Sequence, residues 1–194
     1  MKISVLLAGV LLTTASTSAM AAGPYIGAAA GVSLYHDSDL STGGAGKIEY
    51  RTGRAFSASL GYNFDGFRFE GEAGYKHAYA DTFQGVEVRD RSMDTTISSY
   101  MANAYWDVKT KSAVTPFLGA GIGVLHGRMT DAYFAYNDHV PGYQFSAGTG
   151  IKITDNLNLD LSYRYQKAAK DFFIGIYDVS YASSSFLAGA RYNF

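Results

Sequence analysis

The chain contains no cysteine, three prolines and one tryptophan in 194 residues. Without cysteine there is no disulfide and no thiolate metal or redox site. Net charge is also nearly absent: 16 Lys and Arg against 17 Asp and Glu leave −1. With no basic excess, nucleic acid is not an expected partner. Beyond Leu12 no stretch is apolar over the roughly 20 residues that a membrane helix needs. What is abundant is Tyr (16), Phe (12) and Gly (22). With so little proline, that composition points to many strands and close backbone approaches.

The first residues read as a leader. Lys2 precedes an apolar run from Ile3 to Leu12, and a small, polar stretch ends in Ala19-Met20-Ala21. A positive start, a short apolar run and an A-x-A site describe a secretory signal peptide. Ala19 and Ala21 are the expected cleavage-site residues, with the cut after Ala21. The apolar run is about half the length that spans a bilayer, so a membrane anchor is disfavoured. The expected organisation is a signal peptide over 1–21 and one β-barrel domain over 22–194.

From there the chain alternates with period two, as strands do. In 54–64, Phe56, Ala58, Leu60, Tyr62 and Phe64 oppose Ala55, Ser57, Ser59, Gly61 and Asn63. The same alternation predicts strands over 25–35, 67–79, about 95–108, 116 to about 128, 143–153, 157–166, and a last strand ending at Phe194. Short turns at Asp65-Gly66, Lys109 to Val114 and Thr154-Asp155-Asn156 alternate with long loops over 36–52, 80 to about 93, about 129 to Pro141, and 167 to about 178. Asp-Gly is a two-residue hairpin turn. Eight strands of about 10 to 13 residues exceed the soluble mean of about 5 to 6 and match the roughly 9 to 11 that cross a membrane. The expected fold is all-β, an eight-stranded antiparallel up-and-down transmembrane β-barrel.

The second face of each strand sets the orientation. It is mostly Gly, Ala and Ser with charges of both signs, which fits an interior just wide enough to be filled by side chains. The expected lumen charge network is Arg68, Glu70, Glu72, Lys76, Lys152, Asp160, Arg164 and Arg191. Both signs are needed there, because an unpaired buried charge is very costly. The apolar face then meets lipid. Its aromatic girdles would be Tyr62, Phe64, Phe67, Trp106, Tyr192 and Phe194 at the short-turn end, with Tyr35, Phe56, Tyr75, Tyr79, Tyr143 and Tyr165 at the other. A soluble ligand-carrying barrel would need the opposite pattern, with an apolar interior and a polar exterior.

Four segments carry a family resemblance: Asn103-Ala104-Tyr105-Trp106-Asp107, Thr115-Pro116-Phe117-Leu118-Gly119-Ala120-Gly121-Ile122-Gly123, Leu159-Asp160-Leu161-Ser162-Tyr163-Arg164-Tyr165, and the terminal Ala188 to Phe194. The chain resembles the eight-stranded outer-membrane barrels of the opacity-protein and OmpA-like superfamily over essentially all of the mature region. The resemblance implies a multi-pass barrel in the cell outer membrane, with membrane lipid and lipopolysaccharide around it. It also implies periplasmic chaperones and the barrel-assembly machinery as partners in biogenesis. Tyr192 and Phe194 would be the assembly signal read there. A structural or adhesin role, binding a host or surface ligand, is what the family implies for the four long loops.

Candidate chemistry is sparse. His36, His77, His126 and His139 match no zinc spacing and are expected to be isolated surface histidines rather than a metal or pH-sensing cluster. His36-Asp37-Ser38 contains the residue types of a nucleophile, base and acid, but it opens a Gly-rich loop with no triad geometry implied. Gly43-Gly44-Ala45-Gly46 lacks the Lys-Ser/Thr of a phosphate loop. No catalytic, cofactor or metal residue is assigned. Loop candidates for binding are Tyr133, Phe134 and Tyr136 in the third loop and Phe172, Phe173, Ile174 and Tyr177 in the fourth. They are unusually apolar for exposed loops, which marks binding sites; the alternative is that they extend the strands as hairpin arms packed on each other. The lumen charges form either a plug or a gated path. The plug is preferred, because aqueous channels come with roughly 16 strands. The expected function is therefore a surface barrel and not an enzyme, with a narrow pore and a lipid A-modifying enzyme as rivals. A Phe194→Asp chain should fail to give the compact, heat-modifiable band on gels that wild type gives; normal assembly would remove Phe194 from the assembly signal.

Overall fold

A computed structural model of the protein describes residues 22–36, 38–40, 46–50, 52–83, 86–87, 94–130, 135–174 and 177–194. Ala19, Ala21, Tyr133 and Phe134 lie outside the described residues. Eight long strands form the barrel: β1 (Gly23–Tyr35), β2 (Gly53–Asn63), β3 (Phe67–Phe83), β4 (Asp94–Asp107), β5 (Val114–Thr130), β6 (Ala135–Lys152), β7 (Leu157–Ala168) and β8 (Ala182–Asn193). Each pairs antiparallel with its sequence neighbours. Closure comes from β1 and β8, paired without a register break from Tyr25 opposite Asn193 to Tyr35 opposite Ser183. A closed ladder is what lipid demands, since no water is present to satisfy an open edge.

The turns follow from local chemistry. Asp65 and Gly66 both take positive φ, 56° and 109°, as a tight hairpin turn requires. The Phe64 N–H donates to the Phe67 carbonyl at 2.7 Å across that turn.

Side chains alternate outward and inward along every barrel strand, and the apolar set points out. Leu60 is 68% exposed, Tyr100 66% and Ile122 72%. Polar and charged side chains such as Arg68, Glu72, Gln144 and Arg191 are buried inside. At the short-turn end Tyr62, Phe64, Phe67, Trp106, Tyr192 and Phe194 are exposed, forming the lower girdle. Tyr35 departs from the expected upper girdle. It sits one step out of phase with the lipid-facing Val32 and Leu34, so its ring turns inward and is buried.

The expected loop boundaries also change. The third loop was expected to run to Pro141, yet Ala135–Pro141 is strand, paired with Val124–Thr130. Asn137, Asp138, His139 and Pro141 look like loop residues because the alternation code applies only at membrane depth. Above the bilayer a ladder forms among polar side chains as readily. Pro141 is tolerated because the regular β6–β7 ladder ends at Gly142 opposite Ala168, so no N–H is required of it there, while its carbonyl still accepts from Ala169 N–H at 2.8 Å. Short strands over 38–40 and 46–50 pair with each other, and the latter pairs with the top of β3. Phe172–Ile174 and Tyr177–Val179 form a hairpin whose Val179 lies opposite Leu40. Together these segments build a crown on the long-loop end.

Two glycines admit bulky lumen rings. A Cβ on Gly119 would overlap the ring of Tyr105, its cross-strand partner, and one on Gly61 would overlap Tyr25. Gly119→Val is expected to cost about 1 to 3 kcal/mol through overpacking. Ala120→Val, one residue on and exposed to lipid, should change stability by less than about 0.5 kcal/mol. Urea unfolding in liposomes measures both; equal midpoints would contradict the inward placement of position 119.

Candidate functional site

The lumen is built from inward positions on all eight strands. Near the short turns, Arg68 on β3 forks onto Asp107 at the end of β4, Nε to Oδ2 and Nη2 to Oδ1 both at 2.8 Å. Its guanidinium lies 4.6 Å from the Tyr105 ring centre and 5.0 Å from that of Phe117. At mid-height Arg164 reaches across the bore from β7 to Glu72 on β3, with Nη1 to Oε1 at 2.8 Å and Nη2 to Oε2 at 2.6 Å. This bidentate pair joins strands that are not neighbours in the sheet, so it braces the barrel across its diameter. Arg191 on β8 meets Asp160 on β7 at 3.2 Å.

Two charges are held by neutral partners. Glu70 accepts from Tyr25 Oη at 3.0 Å, Asn103 Nδ2 at 3.3 Å and Tyr105 Oη at 3.5 Å. Lys76 Nζ donates to Ser183 Oγ at 2.9 Å, Gln166 Oε1 at 3.1 Å and Tyr181 Oη at 3.5 Å. A chain of amides spans the space between them: Gln166 Nε2 donates to Gln144 Oε1 at 3.0 Å, and Gln144 Nε2 to Asn103 Oδ1 at 2.8 Å. The cations Arg68, Lys76, Arg164 and Arg191 balance the anions Glu70, Glu72, Asp107 and Asp160. Beside this network remains a cavity of about 60 Å³, room for a few waters.

Of the expected network, Lys152 is a correction. It has lumen parity, but β6 ends at that residue and the side chain leaves the ladder for the turn. Its Nζ meets Asp155 at 2.9 Å, 46% exposed. The hydrogen bond and charge of Lys152 hold the Asp155 carboxyl below its ordinary range. Asp107 takes the place of Lys152 as a charged member. Its parity with Asn103 and Tyr105 was readable, but it stands at a strand end where turn and lumen look alike. The uncharged members Tyr25, Asn103, Gln144 and Gln166 carry no sequence signal that separates a bonded amide or phenol from a filler.

Above the charges the lumen turns apolar. Tyr35, Ala78, Ile97, Met101, Leu125, Val140, Ala168, Phe172 and Tyr181 form one buried cluster. Phe172 enters from the crown hairpin and packs over Gly127 and against the Tyr181 ring, 6.2 Å away. Its neighbour Phe173 points the other way, 61% exposed, while its N–H donates to Asp138 Oδ2 at 3.0 Å. The crown hairpin is thereby fastened to the β5–β6 arm. Of the loop candidates, Ile174 pairs with Tyr177 in the hairpin ladder and Tyr136 with Met129 in the arm; the side chains of these four lie outside the described residues.

The histidines are not all isolated. His126 and His139 are cross-strand partners on the arm, Nδ1 to Nε2 2.8 Å apart. His36 Nε2 lies 3.0 Å from Ser184 Oγ, which also meets Tyr163 Oη at 2.8 Å. The side chains of Asp37 and Ser38 lie outside the described residues. Among the described residues no three His, Asp or Glu side chains converge as a metal site.

A closed up-and-down barrel with an apolar exterior and a charge-balanced interior defines an integral outer-membrane β-barrel protein. The chain belongs to the outer membrane protein beta-barrel domain family, whose model matches residues 3–194. It is 29% identical over 119 residues to outer membrane protein PagN of Salmonella typhimurium, covering 50% of each chain. The chain thus spans about half the length of that curated relative. Among solved structures, Neisserial surface protein A superposes with a TM-score of 0.64 at 24% identity, over 89% of this chain and 97% of that one. Ail of Yersinia pestis superposes with a TM-score of 0.50 at 16% identity, over 88% and 99%. Likeness at these identities concerns the fold. The protein resides in the outer membrane.

Asp107→Leu would leave Arg68 buried without its counter-charge, at a cost of about 3 to 5 kcal/mol. The double variant Arg68→Leu/Asp107→Leu should recover most of that loss, since an apolar pair replaces the ion pair without orphaning a charge. Urea midpoints of the two variants in liposomes check this; a double variant no better than the single would contradict the pairing.

Proposed function

We propose that this protein is a surface attachment protein. The barrel is a closed anchor, and the crown over β5, β6 and the 172–179 hairpin binds a ligand outside the cell. The observation that carries this reading is the double closure of the lumen. Ion pairs fill its lower half, and an apolar cluster that includes Phe172 from the crown seals the top. Among the described residues the lumen is filled at both levels, which favours the crown as the seat of exposed chemistry. Exposed loop residues on a rigid scaffold are the usual seat of binding, and the outward Phe173 suits that role. The fold shared with Ail, the attachment invasion locus protein of Yersinia pestis, supports the reading; its structure was determined with the heparin analogue sucrose octasulfate.

The enzyme reading finds a nucleophile and base type in Ser184 and His36 but, among the described residues, no free donors to hold an oxyanion. The backbone around Ser184 is committed to the ladder, opposite Leu34 on one side and Tyr165 on the other. An oxyanion hole needs free donors aimed at one point.

Removing residues 172–179, with the ends joined by Gly-Ser, is expected to lower binding to heparin-coated surfaces or to epithelial cells by at least 10-fold, while the heat-modifiable band persists. Wild-type protein in planar bilayers should show no conductance steps. Steady single-channel steps would favour the narrow pore, and undiminished binding would sink the crown assignment.

A further inference from the structure

One lipid-facing region is not a plain apolar wall. Where β1, β8 and β7 run side by side, Phe186 stands between Val32 and Tyr163, and its ring centre is 5.4 Å from that of Tyr163. In the next row toward the short turns, Ala188 stands between Ala30 and Leu161. The drop from two rings to alanines leaves a cleft of about 590 Å³ on the outer surface, floored by Ala30, Gly31 and Ala188. It is an open groove along the barrel wall rather than an enclosed pocket.

The other end of the cleft is polar. One row above Phe186, Ser184 has outward parity but is buried, its hydroxyl meeting both Tyr163 Oη and His36 Nε2. The His36 ring rests edge-on against Tyr165, with centres 5.9 Å apart. One row higher, Lys167 lies opposite Ala182 and is exposed on the same side as His36. The outward positions of these three strands carry no carboxylate. Polar groups on a lipid-facing surface are costly unless something satisfies them. Here they gather at the level of the long-loop ends, where the outer leaflet presents its headgroups.

We propose that this surface binds one molecule of lipid A, the acylated and phosphorylated glucosamine lipid of the outer leaflet. An acyl chain lies in the cleft between the Phe186–Tyr163 wall and the alanine floor. The phosphate sits at Lys167 and His36, where an ammonium and an imidazole N–H can donate to it. The part-exposed Tyr163 ring borders the place of the sugar. A lipid reaches this cleft directly, because its floor lies within the membrane-spanning part of β1 and β8. Acyl chain and phosphate are recognised together, which separates this site from the ordinary lipid annulus.

The test uses the full mature protein, purified in detergent and mixed with lipid A or phosphatidylcholine, with bound lipid counted by native mass spectrometry. Wild type is expected to keep one lipid A at detergent concentrations that strip phosphatidylcholine. Ala188→Phe fills the cleft and Lys167→Gln/His36→Gln removes the phosphate donors; each should lower lipid A retention at least 10-fold while the heat-modifiable band is unchanged. Ala104→Phe, a small-to-large change at a lipid-exposed position on the opposite wall, should retain lipid A as wild type does. No preference of wild type for lipid A over phosphatidylcholine would overturn the proposal. So would undiminished retention in the cleft and donor variants, or an equal loss in Ala104→Phe.

Discussion

Everything in this protein depends on the need to satisfy each backbone N–H and C=O without water. That constraint forces β8 back onto β1 and closes the sheet. Closure at eight strands then leaves an interior that side chains must fill. The unbroken register from Tyr25 to Tyr35 against Asn193 to Ser183 shows how completely the constraint is met. Small residues crowd that seam, with Ala28 opposite Ala190 and Ala30 opposite Ala188. The same small residues that ease the closing pair also open the cleft assigned to lipid.

A narrow lumen turns electrostatics into architecture. A charge placed inside cannot reach bulk water, so each must find an opposite charge or a set of dipoles. Arg68–Asp107 and Arg191–Asp160 tie neighbouring strands, whereas Arg164–Glu72 ties opposite walls. Lys76 and Glu70 rest on hydroxyls, phenols and amides. The lumen is polar in its lower half and apolar in its upper half. The crown hairpin contributes Phe172 to the apolar half and leaves Phe173 to the outside.

The barrel strands were legible because membrane depth imposes one code, apolar out and small or polar in, and 56–64 and 157–166 obey it without exception. The site was legible only in part. Parity placed Arg68, Glu70, Glu72, Lys76, Asp160, Arg164 and Arg191 inside, but it also placed Lys152 there, because parity does not say where a strand stops. Tyr35 and Asp107 both have inward parity, but their places at strand ends put Tyr35 in the expected girdle and left Asp107 out of the network. Above the bilayer the code lapses, and Ala135–Pro141 read as loop although it forms a ladder. The pairing of His126 with His139, and of His36 with Ser184, joins residues 13 and 148 positions apart in sequence. No local pattern announces either.

By itself the amino-acid order determined the class of fold, its strand count and its orientation to lipid. Those follow from periodicity and length; the outer-membrane setting is what the family resemblance implied. Only the tertiary structure decided which charges meet, where the lumen turns apolar, how the crown is fastened, and that a cleft with a polar head lies between β1, β8 and β7. Those depend on register between strands far apart in the chain. A shift of one residue would turn every side chain to the other wall, and register is settled only when all eight strands close at once.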